Sequence, residues 1–400
     1  MKFIRVYKLK TILKLTLFFI SLFILLFLSK ENFESVKNSV TIFISSVLPS
    51  LFPFIFFTEI ILNTDIINIL SRIFGNIISK LFKVSKNSAT AVIIGFLCGY
   101  PMGSKTVSTL YSDKKISRDD ANILLTFVNN CNPAFILSTI AIGVFYNINI
   151  GIVLLISHVL SSILIGIMYS RKYYSNIIHK KGKKLNSFGK KSIINENINY
   201  NNNSKDLSFF EIIKKSIFNA FLTLSNIFGF IIIFNLLFSI FAIFLQKINI
   251  PTLYITILSG IFEITSGCHN IGMLNIDIIP KLCITSFILG FSGLCINAQI
   301  FSTISKQKFK FFSLIKSKLL HGILSCIITY ILLRYTNMQD LSTISVFSNT
   351  ETITKTNYIE NMKIAYLSTT FIIIAGLFIF FCIRKLYFRK SKNKSSLRKI

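Results

Sequence analysis

Ten apolar runs, each long enough to cross a lipid bilayer, constrain the fold of this 400-residue chain more than any other feature. A transmembrane helix needs about 20 predominantly apolar residues, and soluble domains rarely carry runs of that length. The mean hydropathy of +0.65 agrees with this pattern. The sequence therefore predicts an all-α polytopic protein embedded in a lipid bilayer. The runs lie near 11–29, 38–62, 89–111, 120–146, 150–170, 213–245, 251–274, 279–303, 313–334 and 364–384.

The net charge of +29 is best explained by membrane topology, because lysine and arginine accumulate in cytoplasmic segments. Basic residues cluster at the N-terminus, in 171–208 and after residue 384, so we expect both termini to be cytoplasmic. The nearly balanced segment 335–363 is predicted to lie outside. No cleavage site follows the first run, which we interpret as an uncleaved anchor. No stacking or groove-reading motif accompanies the charge, so nucleic acid is not an expected partner.

Counting crossings predicts two runs that do not cross. If every run spanned the bilayer, the most basic loop, 171–208, would lie outside. We therefore expect 89–111 to enter and leave on the cytoplasmic face, since its Gly-Tyr-Pro-Met-Gly sequence permits a sharp turn. The same count makes 251–274 a second hairpin, entering from outside and broken at Ser266-Gly267. The prediction is about eight transmembrane helices and two opposed re-entrant hairpins.

The two halves of the chain carry similar patterns. At an offset of 165 residues Gly95 corresponds to Gly260, and at 160 residues Phe127 corresponds to Phe287. Since the predicted orientations of the halves are opposite, the sequence predicts an inverted-topology internal repeat. The predicted units are a membrane anchor over 1–34, repeat 1 over 35–170, a basic cytoplasmic linker over 171–208, repeat 2 over 209–335, and a region over 336–400 with an outside segment, the last transmembrane helix and a basic cytoplasmic tail.

Polar groups and broken helices inside a bilayer are costly unless they are paired or line a cavity. We therefore expect the hairpin tips and the broken runs at 129–133 and 290–299 to face one another around a small polar solute. In this hypothesis Lys105 contacts an anion and Glu263 contacts a coupling ion or the substrate. Alternatively, Lys105 snorkels or pairs with an acid, and the amides hold helices together. The candidate substrate-binding residues are Lys105, Glu263, Glu59, Gly99, Pro101, Gly103, Ser104, Asn129, Asn130, Asn132, Asn297 and Gln299.

Catalytic and metal-binding signatures are missing from the sequence. It contains no HExxH, GxSxG or Walker A pattern, so we do not expect an enzyme or a cofactor. The seven cysteines form no CxxC pair and stand among apolar residues. This spacing predicts neither a disulfide framework nor a metal site.

Five segments in order resemble one known family. The sequences SSVLPSLFPFIFFTEIIL, GFLCGYPMGSK, NNCNPAFI, FEITSGC and GFSGLCINAQI resemble the YlbJ-type sporulation integral membrane proteins, over roughly residues 36 to 335. That family is grouped with proteins carrying a nucleoside-recognition, or Gate, domain. The resemblance implies a role in making resistant spores, in the mother-cell or outer forespore membrane, but implies no binding residues.

Two functions follow as expectations. The leading one is a transporter-like protein that moves a small polar solute, nucleoside-like or other, with a coupling ion, by rocking of the two repeats. The alternative is a non-transporting scaffold for assembly of the spore envelope, its cortex or coat, with other membrane proteins of that envelope as partners.

Overall fold

The computed structural model describes residues 29–182, 208–307 and 311–335, together with the single residues 16 and 309. Within these ranges every regular element is helical, so the all-α prediction is confirmed there. The predicted helix over 364–384, the outside segment and the basic tail lie outside the described residues. So do nearly all of the first apolar run and most of the predicted linker.

Thirteen α-helices make up the described part of the chain. They are α1 Ser29–Ile42, α2 Leu48–Leu62, α3 Ile66–Phe82, α4 Ala89–Leu97, α5 Met102–Ser112, α6 Arg118–Leu124, α7 Ile148–Gly182, α8 Phe209–Lys247, α9 Thr252–Phe262, α10 Ile264–Gly272, α11 Ile278–Phe291, α12 Gly293–Ile304 and α13 Phe311–Tyr335. A π-helical turn, Phe43–Val47, joins α1 to α2, and a π-helix, Phe135–Ile142, precedes α7. Helix α7 continues to Gly182, into the segment predicted as linker.

Five helical segments of the described residues are long and apolar enough to cross a membrane. They match five of the predicted crossings. The segments are Lys30–Leu62, Ile148–Tyr173, Phe209–Lys247, Ile278–Gln307 and Phe311–Tyr335.

The long helices also expose apolar side chains that water would not favour. On α7, Ile152, Ile156, Leu160, Leu164 and Met168 follow one another at four-residue spacing, and all are more than 40% exposed. Residues four apart lie on one helical face. A continuous apolar stripe of this kind suits contact with lipid chains, as expected of a multi-pass integral membrane protein.

The run over 89–111 forms two short helices that pack against each other, α4 and α5, which we call hairpin 1. Its arms meet at Gly103, where an added Cβ would lie 3.2 Å from the Cα of Gly95 and 2.3 Å from the carbonyl oxygen of Val128. Glycine is required here because any side chain would collide with the Val128 carbonyl and crowd the other arm. At the tip, Gly99 has a φ of 75° and the Tyr100–Pro101 peptide bond is cis.

The run over 251–274 forms the second pair, α9 and α10, which we call hairpin 2. The predicted break at Ser266-Gly267 is wrong, because the chain turns one helical turn earlier, at the extended residue Glu263. Glu263 caps the helix that follows, so Ser266 and Gly267 continue that helix. Gly267 serves packing instead, since a Cβ there would lie 2.0 Å from the Cα of Gly260.

The run over 120–146 is not one continuous helix, in agreement with the break predicted at 129–133. After α6 the chain has no helix over Asn129–Asn132, the segment we call the wall stretch. Pro133 follows it and supplies no backbone N–H. The carboxamide oxygen of Asn132 accepts the Ala134 N–H at 2.7 Å and starts the next helical segment. The other predicted break is present between α11 and α12, where Ser292 and Gly293 have φ values of 68° and 59°.

Candidate functional site

Hairpin 1 docks on the wall stretch. The Tyr100 N–H donates to the Asn130 carbonyl at 2.8 Å. The Asn132 amide donates to the carbonyls of Leu97 and Cys98, each at 3.4 Å. The Asn132 side chain therefore satisfies carbonyls at the end of α4, and the Tyr100 N–H at the tip satisfies a carbonyl of the wall stretch, as buried backbone groups require.

Hairpin 2 docks on the break between α11 and α12. A Cβ on Gly293 would lie 3.0 Å from the side chain of Ile264 and 3.4 Å from the Gly260 carbonyl. At the tip, Glu263 accepts hydrogen bonds from the N–H groups of Thr265 at 3.0 Å and Ser266 at 2.7 Å. A carboxylate is favourable there because the helix N-terminus carries partial positive charge.

The two tips and the two breaks surround one cavity. It holds about 400 Å³ of space not filled by atoms, counting the part open to the surroundings. Hairpin tips, broken segments, the π-turn region and α8 all contribute side chains. The lining residues are Val47, Leu51, Tyr100, Cys131, Asn132, Phe135, Ile227, Ile231, Glu263, Ile264, Thr265, Ile296 and Gln299.

The cavity is apolar on one side and polar at the two tips. Glu263 is the charged residue among those that line it, and only 1% of this residue is exposed. The buried hydroxyl of Tyr100 has no hydrogen-bond partner among the described residues. The thiol of Cys131, a weak hydrogen-bonding group, lies beside it. An acid and an unsatisfied hydroxyl facing an apolar wall are suited to orienting a small polar solute.

Three of the predicted site residues line this cavity: Asn132, Glu263 and Gln299. Lys105 and Glu59 do not. They form an ion pair of 2.5 Å between α5 and α2. Two residues of α8 complete the network, since Lys105 donates to the Thr223 hydroxyl at 3.1 Å and the Asn219 amide donates to Glu59 at 3.1 Å.

The remaining predicted residues are buried beside the cavity without lining it. Gly99 and Pro101 form the tip of hairpin 1, and Ser104 donates to the Pro101 carbonyl at 2.7 Å. The Asn297 amide donates to the carbonyls of Phe291 and Gly293, which holds the second break together.

Two further predicted asparagines have unsatisfied buried atoms. Asn129 donates to the Leu125 carbonyl at 3.2 Å, but its carboxamide oxygen has no partner among the described residues. Both side-chain polar atoms of Asn130 are also buried without a described partner.

One curated protein resembles this chain over most of its length. It is the sporulation integral membrane protein YlbJ of Bacillus subtilis (strain 168), and the two are 28% identical over 76% of this chain and 78% of the relative. This similarity supports membership of the YlbJ-type membrane proteins. No family model and no solved structure matches it.

Sequence reasoning did not assign Lys318, the most deeply buried charged residue among those that the structure describes. The Lys318 side chain on α13 is completely buried and donates to the Asn129 carbonyl, on the side of the wall stretch that does not line the cavity. A lysine in the middle of an apolar run is itself a signal of function, because charges inside membranes are costly. Lys318 lacks the neighbouring helix breakers that drew attention to the hairpins.

Proposed function

We propose that the protein binds a small polar solute in the cavity and moves it across the membrane in which it is embedded. The observation that carries the proposal is the convergence of two helical hairpins and two broken segments on one buried cavity. Unwound backbone is tolerated at membrane depth where it is buried in protein or lines a cavity. Transporters use such discontinuous helices to build solute sites. The proposal includes no chemical change of the solute.

The charges favour a neutral or cationic solute. Glu263 brings a carboxylate to the cavity wall, whereas the charge of Lys105 is paired with Glu59 at another place. A carboxylate accepts hydrogen bonds and attracts cations. The solute we propose therefore carries several N–H or O–H donors; a nucleoside, as the family resemblance implies, satisfies this description.

The arms of the hairpins support re-entrant topology. They contain nine and eleven residues in hairpin 1, and eleven and nine in hairpin 2. Helices of that length extend about 14 to 17 Å. The hydrocarbon core is about 30 Å thick. Each arm therefore reaches about the middle of the bilayer, where the tips would hold the solute.

A corresponding pair of glycines supports an inverted repeat. In each hairpin the two arms touch at one glycine pair, Gly95 with Gly103 and Gly260 with Gly267. Rocking of the two repeats around the cavity would then open it alternately to the two faces.

Cysteine labelling tests this topology. Ser112, Ser117 and Asn270 are exposed, so a single cysteine at each reports the side of the membrane rather than burial. In a cysteine-free background on intact cells, we expect an impermeant thiol reagent to label the cysteine at 270 and not those at 112 and 117. Permeabilised cells should allow labelling at all three positions. Labelling of 112 and 117 on intact cells would mean that 89–111 crosses the bilayer.

Solute binding is tested with Tyr100→Phe in purified protein. The weak Cys131 thiol is the hydrogen-bonding group beside this hydroxyl, so its removal should change the stability of the solute-free protein little. Uridine, adenosine, arginine and spermidine would be screened by thermal shift, with phosphate and citrate as anions. We expect a neutral or cationic compound to stabilise the protein, and Tyr100→Phe to weaken its binding about tenfold. Tyr254→Phe, at an exposed tyrosine of hairpin 2, is the matched control.

The biological setting we propose comes from the relative's name and from the family resemblance. In a spore-forming host, the protein would act in a membrane around the developing spore, with its termini in the cytoplasm. Tyr100→Phe at normal protein level should then reduce the yield of heat-resistant spores, while Tyr254→Phe should not. Unchanged spores together with a negative solute screen would favour the scaffold, which needs the fold but no solute.

A further inference from the structure

A second buried polar cluster lies behind the wall stretch. The Lys318 side chain is fully buried and its ammonium donates to the Asn129 carbonyl. Neither ion pair of the described residues includes this lysine. Removing a charged amine from water without a counter-charge is costly. Release of a proton, which leaves a neutral amine, avoids that cost.

Two histidines complete the cluster. His158 on α7 accepts the Cys131 N–H at its Nε2, at 2.9 Å. His321, one turn after Lys318 on α13, places its Nε2 3.0 Å from the His158 carbonyl. The two rings are 4.5 Å apart between centroids.

These hydrogen bonds assign the protons on both rings. A nitrogen that accepts an N–H carries no proton, so His158 is neutral with its proton on Nδ1. A nitrogen facing a carbonyl must donate, so Nε2 of His321 is protonated, and a neutral ring there has a free lone pair on Nδ1. Both Nδ1 atoms are buried without partners among the described residues. His158 therefore has an unused donor at Nδ1, and His321 has an unused acceptor at Nδ1. A proton added to His321 would break no existing hydrogen bond.

We propose that Lys318 and His321, held by His158, form a proton-binding site that couples proton movement to the solute cavity. This role rests on the proposed function. A proton is taken up on the lone pair of the Lys318 amine, and on release the lone pair is restored; no other bond is made or broken. Charge on Lys318 strengthens its hydrogen bond to Asn129, because hydrogen bonds from ionised donors are about twice as strong as neutral ones.

The wall stretch transmits the change. Its Asn129 carbonyl and Cys131 N–H are held from behind by Lys318 and His158, whereas Cys131 and Asn132 line the cavity on the other side. Loss of the charge would loosen this hold and let the cavity wall move. At the offset of 160 residues that relates Phe127 to Phe287, His158 corresponds to Lys318, so the cluster also joins equivalent positions of the two halves.

The other titratable groups near the cluster come from the wall stretch, the two hairpins, α11 and α13. Cys131 belongs to the wall stretch, and the hydroxyl of Tyr100 lies beside it from hairpin 1. Cys268 faces the same two groups from hairpin 2. On α11, Cys283 contacts Cys326 of α13, two turns beyond Lys318. The carboxylate of Glu263 lies on the cavity side of the wall stretch.

A single tryptophan tests the proposal, because the chain contains none. Phe135→Trp places the reporter on the cavity wall, at the start of the π-helix that follows the wall stretch. In proteoliposomes with equal pH on both sides, we expect one sigmoidal change of its fluorescence between about pH 5 and 9. Lys318→Met should abolish the change, and so should Lys318→Arg, because arginine keeps its proton throughout this range.

The matched control is Lys281→Met. Lys281 is also buried, at 5% exposure, and donates to the Gly272 carbonyl at 3.1 Å, but it does not line the cavity or touch the wall stretch. This variant should keep the fluorescence change. A change that survives in Lys318→Met would overturn the proposal, as would a flat titration of the reporter protein.

Hydrogen exchange of the unmodified chain decides the matter if the Lys318 variants do not fold. After correction for the intrinsic rate, protection of the peptide that contains the wall stretch should change with pH, and protection around Gly272 should not. Equal behaviour of the two peptides would refute the proton site. The titration uses no solute, so the two proposals can fail separately. A pH transition without solute binding in the screen would support the proton site and contradict the solute proposal. Solute binding without a pH transition would contradict the proton site alone.

Discussion

Gly267→Ala should lower the free energy of unfolding by about 3 kcal/mol, the upper part of the range for overpacking a close contact. The added Cβ would lie 2.0 Å from the Cα and 2.4 Å from the nitrogen of Gly260. Both neighbours are backbone atoms of the other arm, which cannot move aside as a side chain can. The arms of hairpin 2 would have to separate, which would also displace Glu263 and the cavity wall. Unfolding of the purified protein by SDS in mixed micelles measures the effect.

Gly229→Ala is the matched control for this prediction. Gly229 lies within α8, and an added Cβ would have no neighbour within 4 Å. Alanine in a helix interior is favoured over glycine by about 0.5 to 1 kcal/mol, so this variant should be neutral or slightly more stable. If the two variants had the same stability, the arms of hairpin 2 would not be in contact.

Lys105→Met should destabilise the protein by about 3 kcal/mol, and Glu59→Gln by only about 1 kcal/mol. The asymmetry follows from burial, because the Glu59 side chain is 3% exposed and the Lys105 side chain is 30% exposed. Without Lys105, a buried carboxylate keeps only the Asn219 amide as a described side-chain partner. Without the charge of Glu59, the ammonium can still reach more polar surroundings and bond Thr223.

A double variant separates the strength of the Lys105–Glu59 ion pair from the cost of leaving one of its charges buried and unpaired. Lys105→Met combined with Glu59→Met should recover most of the loss, since no unpaired buried charge remains. The control is Asp113→Asn, which removes the looser pair with Lys115, 3.7 Å long, exposed at Asp113 and partly exposed at Lys115. That change should cost less than about 0.5 kcal/mol. Equal losses in Lys105→Met and Glu59→Gln would contradict the burial argument. The same SDS titration provides all four values.

The hairpins show how far local sequence rules reach. Charge counting and helix breakers predicted both segments, and hairpin 1 forms within a residue or two of the predicted bounds. The break in hairpin 2 was misplaced because Ser-Gly is a turn signal in isolation. Here Glu263 satisfies two N–H groups of the next helix, which moves the turn to that residue and leaves Gly267 free for close packing.

The candidate site shows where sequence reasoning stops. Asn132, Glu263 and Gln299 were selected as polar residues near breaks, and the structure gathers them around one cavity. Lys105 was selected by the same rule, but the structure shows the alternative, in which it pairs with an acid, here Glu59, 46 residues away along the chain. Lys318 contacts Asn129 across 189 residues. No local pattern encodes such contacts.

The sequence by itself determined the class of protein, because the length and spacing of apolar runs and the placement of basic residues act locally along the chain. It also marked the breaks, since proline, glycine and asparagine limit helix formation wherever they stand. Only the tertiary structure decided which polar group meets which. Those pairings depend on how distant helices pack. Packing places Lys105 and Glu59 in a closed ion pair, and it places Glu263 at the wall of an open cavity.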